Sequence, residues 1–124
     1  MSTPKVGQHM FVHLFHLLIV GSLFLYVGIK RNQIPQWLFP VLFGLGVIIW
    51  VYHSIKTYQR WMAGGNPWVN FIHIFYVGPI LMYIGHEGTD TPRYIYEILL
   101  IMGFASIGYH GIYVLEDVGL YNSQ

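Results

Sequence analysis

The 124-residue chain contains no cysteine. Disulfides, thiolate metal sites and covalent haem through a C-x-x-C-H motif are therefore excluded. Charge is scarce as well. Lys, Arg, Asp and Glu make up 9% of the residues, against about 25% in soluble domains. That is too little to cover a water-facing surface. The formal charge of +1 comes with no basic cluster, so nucleic acid is not expected as a partner. The sequence also lacks a Gly-rich phosphate loop, paired carboxylates and a Ser-His-Asp order with plausible reach.

What remains is apolar and rich in imidazole. The chain is 55% hydrophobic and 18% aromatic, and it carries seven histidines. A membrane span needs about 20 mostly apolar residues. Four segments qualify, at 9–29, 36–58, 67–86 and 93–115, and the breaks "KRNQIPQ", "QRWMAGGNP" and "HEGTDTPR" separate them. Each break places a proline near a helix start (Pro35, Pro67, Pro92), where its missing N–H is harmless. Asn66 and Thr91 are candidate N-caps. Trp37, Trp61, Trp68 and Tyr94 fall near span ends, where aromatic belts lie. Pro79 is mid-span and predicts a kink. The first apolar run holds His9, His13 and His16 and no small-x-small cleavage pattern, so it reads as a retained helix rather than a signal peptide. The fold class expected is all-α: one domain, 1–124, an integral multi-pass membrane protein forming an antiparallel four-helix bundle. Orientation is undecided, because Lys5, Lys56 and Arg60 on one side balance Lys30, Arg31 and Arg93 on the other.

An internal repeat is visible. "LYVG" at 25–28 matches "MYIG" at 82–85, Pro35 matches Pro92, Gly46 matches Gly103, and Tyr52-His53 matches Tyr109-His110, all at an offset of 57. At the start of the first helix, "FVHLFH" (11–16) matches "FIHIFY" (71–76) at an offset of 60. The units expected are about 9–59 and 69–116. Each contains two helices, so the halves form a parallel repeat. His13 becomes the mate of His73, His53 that of His110, and His16 that of Tyr76.

Span geometry places His13, His16, His53, His73 and His110 on one side of the midplane, roughly 5–10 Å from it at 1.5 Å rise per residue. Intramembrane ionisable groups are functional candidates by default. A single histidine near an interface more often satisfies a carbonyl or water, and that bland reading is kept for His9 and His86. For the four that recur by helix, a metal site is expected. The ligands would be His13, His53, His73 and His110, with His16 as a further candidate. Tyr52, Tyr109, Asn70 and Tyr76 would stand behind them as hydrogen-bonding supports. Imidazole suits copper, zinc and iron. The alternative cofactor is haem b, held by axial histidines, for electron transfer or oxidation. A structural or accessory subunit of a membrane complex, with membrane-protein partners or a second copy of itself, is a third reading. A histidine proton channel is a fourth. It is disfavoured because Glu97 is the one polar candidate in the other half of the spans, where the helix dipole explains it equally well.

The stretches "NFIHIFYVGPILMYIG" and "TPRYIYEILLIMGFASIGYH" resemble small uncharacterised four-span proteins of large DNA viruses and marine metagenomes. The resemblance covers about 40 residues. It implies a four-span fold and carries no function.

Overall fold

A computed structural model describes residues 9–122. Among these residues there is no strand. Four helices are long and apolar enough to cross a membrane: α1 (Met10–Gln33), α2 (Leu38–Met62), α3 (Trp68–Asp90) and α4 (Arg93–Asp117). Their bounds extend the sequence expectation by a few residues, because short 3-10 turns at Arg31–Gln33 and Gly88–Asp90 continue α1 and α3. After each turn comes an extended residue, Ile34 (ψ 154°) or Thr91 (ψ 124°). A following proline disfavours the helical region and selects this conformation. The helix then restarts. Asn66 stands one residue ahead of the N-cap position, which Pro67 occupies, and its Oδ1 accepts from the Trp68 N–H at 3.1 Å in an Asx turn. Thr91 does not cap α4. Its hydroxyl donates back to the Gly88 carbonyl at 2.7 Å.

Two of the helices contain a π turn, His16–Val20 in α1 and His73–Val77 in α3. In each, the exit glycine donates its N–H five residues back, Gly21 to the His16 carbonyl and Gly78 to the His73 carbonyl. The distortion expected at Pro79 is thus present one turn ahead of it. The proline is not its cause, since α1 has Ser22 at the corresponding place. Such bulges occur disproportionately at functional sites.

The chain divides into two compact units, Met1–Ile29 with Glu97–Gln124, and Lys30–Tyr96. In the first, glycines let α1 and α4 approach. A Cβ on Gly21 would stand 2.7 Å from Ile107, and one on Gly103 would stand 3.1 Å from the Phe24 Cβ. Val27 and Leu99 are fully buried there. In the second, α2 and α3 come closer still. A Cβ on Gly46 would lie 2.8 Å from the Gly78 carbonyl oxygen, and one on Gly85 would lie 2.5 Å from the Phe43 nitrogen. Small residues at such crossings are how helices pack in lipid, where van der Waals contact replaces the hydrophobic drive. As residue number rises along α2 it falls along the α3 residues it meets. Leu42, Leu81, Ile84 and Tyr96 are fully buried in this unit, and the Tyr96 hydroxyl donates to Asn32 Oδ1 at 2.7 Å. Large apolar side chains are exposed along every span, among them Phe11, Ile48, Phe75 and Phe104.

Candidate functional site

The expected ligands fall two in each unit: His13 and His110 in the first, His53 and His73 in the second. The first unit also contains His16. One turn apart on α1, His13 and His16 both face α4, and His110 receives them. His13 Nδ1 lies 2.8 Å from His110 Nδ1, with the ring planes 44° apart. The His16 ring stacks on His110 at 4.5 Å and 23°. His16 Nδ1–H donates to the Val12 carbonyl at 2.7 Å. His110 is buried, at 8% exposure, in the last third of an otherwise apolar helix. Its partner contacts are therefore what make its burial tolerable.

In the second unit the His73 ring stacks on His53 at 4.0 Å and 15°. His73 Nδ1–H donates to the Val69 carbonyl at 2.8 Å. His53 Nδ1–H donates to Asn70 Oδ1 at 2.9 Å. Thr57 closes the next turn by donating to the His53 carbonyl. In both stacks the imidazole on the π turn donates from Nδ1, which fixes the tautomer and puts the basic lone pair on Nε2.

These contacts change the register assigned to the start of α1. The two π turns, the two Nδ1–H bonds to valine carbonyls and the two stacks stand 57 residues apart, as 16 and 73, 12 and 69, 110 and 53. Sequence matching at an offset of 60 pairs His13 with His73 and His16 with Tyr76. In contact geometry His16 corresponds to His73, and His13 corresponds to Asn70.

The other expected supports are placed differently. Tyr52 and Tyr109 meet their neighbours His53 and His110 edge-on, at 5.1 and 5.0 Å and 89° in both cases. Tyr76 is exposed. Tyr113, which the sequence reading passed over, stacks on His13 at 4.8 Å and 9°. Its spacing of three from His110 puts it on the same helix face, and that was the available signal. His9 lies at the exposed start of α1 with its ring 6.5 Å from His13. His86 is exposed and 3.4 Å from the Glu87 carboxylate. Glu97 is exposed on α4.

Whether an ion fits can be judged from the rings. A bound ion lies near the plane of each imidazole, about 2.0–2.1 Å from its nitrogen. Stacked rings such as His53 and His73 do not converge on one atom at that reach. His13 and His110 do face one another. Two ligands on a tetrahedral ion are about 3.3 Å apart, so this pair must open by about half an ångström from its hydrogen-bonded distance. Among the described residues, no group of three or more His, Asp or Glu side chains is placed to hold an ion.

No protein-family model, curated protein or solved structure matches the chain.

Proposed function

We propose that the protein is a multi-pass membrane protein, an antiparallel bundle of four spans built from two tandem hairpins 57 residues apart, and that it binds a transition-metal ion through membrane-embedded imidazoles. The single observation that carries the metal reading is the approach of His13 Nδ1 to His110 Nδ1 at 2.8 Å across two helices. In the resting pair these nitrogens share one proton. His13 and His110 would hold an ion through their two Nδ1 atoms, the donor ring's proton passing to its own Nε2. Two neutral imidazoles thus accept the ion with no net proton release. A two-imidazole site leaves coordination positions open, which suits metal transfer or redox chemistry rather than a closed structural site. Copper is expected to bind most tightly among the divalent candidates, following the general order for nitrogen ligands.

Haem b is the second reading. It is favoured by His16 and His73, whose Nδ1–H bonds to backbone carbonyls are the posture in which ligating histidines are commonly held. A proton channel is less well supported. Nearer the other end of the spans Val27, Leu42, Leu81, Ile84 and Leu99 are fully enclosed, and the buried hydroxyl of Tyr96 is already engaged by Asn32.

The test is metal analysis and an absorption spectrum of the intact protein purified gently in detergent and again after reconstitution. Stoichiometric copper, zinc or iron without a Soret band, lost in His13→Ala and His110→Ala, supports the ion. A Soret band selects haem. Neither signal, in folded protein, removes both and leaves a structural or accessory role.

A further inference from the structure

We propose that the two matching histidine clusters are not equivalent: His13 makes the α1–α4 pair the single metal-holding unit of the chain, and Asn70 keeps the α2–α3 pair from holding a second ion. The inference rests on the metal reading above and adds to it a specificity-determining position in each unit.

The clusters agree in two of their three parts. A histidine on a π turn donates to the carbonyl of a valine four residues earlier, His16 to Val12 and His73 to Val69. A histidine from the facing helix stacks on it, His110 or His53. The third part differs. Where His13 meets His110 nitrogen to nitrogen at 2.8 Å, Asn70 meets His53 with its amide oxygen at 2.9 Å. An amide oxygen only accepts. It therefore holds the proton on His53 Nδ1, so no lone pair of that nitrogen faces the contact. It is also a weaker ligand for copper, zinc or iron than imidazole. The His13–His110 contact sets two ring nitrogens against one another instead. Either nitrogen can carry the proton, and both can release it to Nε2.

The surroundings differ in the same sense. Tyr113 lies flat on the His13 ring and holds it toward His110. The position 57 residues earlier is Lys56, whose ammonium lies 5.6 Å from the centre of the Tyr52 ring. A fixed positive charge one turn from His53 works against a second cation. Asn70 is itself buried, at 9% exposure, so its amide is a built part of the contact and not a surface substitution.

The experiment loads the full-length protein, carrying no polyhistidine tag, with copper(II) in detergent, dialyses it, and measures copper per chain by mass spectrometry. The wild type is expected to retain one ion, His13→Asn none and Asn70→His two. His86→Ala, outside both clusters, is expected to retain one. Two ions on the wild type overturn the inequivalence while leaving the metal reading intact, whereas one ion persisting in His13→Asn overturns both. One ion on folded Asn70→His also overturns it. No ion on the wild type removes the metal reading itself. Should Asn70→His fail to fold, the exchange His13→Asn/Asn70→His decides. It is expected to hold one ion that His53→Ala removes and His110→Ala does not, and the opposite dependence refutes the proposal. Should both fail to fold, His13→Asn alone decides, by losing or keeping its ion.

Discussion

Replacing Gly85 by alanine tests the packing that positions the second cluster. An ideal Cβ there would lie 2.5 Å from the Phe43 nitrogen and 2.6 Å from both the Phe39 carbonyl oxygen and the Phe43 Cβ. The first two are backbone atoms and cannot rotate away. Restoring ordinary carbon contacts of about 3.5 Å requires α2 and α3 to separate locally by about 1 Å. Overpacking of this kind costs about 1–3 kcal/mol. Gly44 on the facing helix α2 is the control, because a Cβ there meets nothing within 4 Å. Gly44→Ala is expected to stabilise by about 0.5–1 kcal/mol through the helix entropy that glycine lacks. The two variants should therefore differ by about 1.5–4 kcal/mol in opposite directions. Thermal and denaturant unfolding in one detergent, followed by tryptophan fluorescence, reads the difference. Equal stability of Gly85→Ala and Gly44→Ala would refute the close crossing of α2 and α3.

Other outcomes follow from the turns and the layer. Arg31 sits at φ 55°, where its counterpart 57 residues on is Gly88 at φ 58°. Arg31→Gly should stabilise by about 1 kcal/mol by removing left-handed strain, and a lower melting temperature would contradict that. Tyr96→Phe removes the donor to Asn32 and should cost about 0.5–1.5 kcal/mol. Adding Asn32→Ala should then cost little more, and a fully additive second loss would contradict the pairing.

The four long apolar helices were legible because a helix able to cross hydrocarbon needs a length and a polarity that a local window of sequence reports directly. The prolines at 35 and 92 were equally plain, since each fixes the conformation of the residue before it. The register at the start of α1 was not legible. Residues three apart lie on nearly one helix face, so "FVHLFH" matches at 57 or at 60 with similar apolar patterning, and the identities favoured 60. Contact geometry separates them, because His16 and His73 each stand at the head of a π turn and bond a valine carbonyl. The π turns themselves had no sequence signal beyond Gly21 and Gly78. The division of the expected ligands into a His13–His110 pair and a His53–His73 pair depends on which helices meet, and periodicity on a single helix does not contain that information. Tyr113 was overlooked because an aromatic near a span end reads first as a belt residue.

The most direct test of the central claim is the metal content of untagged protein, purified in mild detergent and loaded with copper(II), compared between wild type and His110→Ala. One copper per wild-type chain and none in the folded variant is the predicted result. Equal copper in both, or none in either, would contradict a metal centre built on His13 and His110.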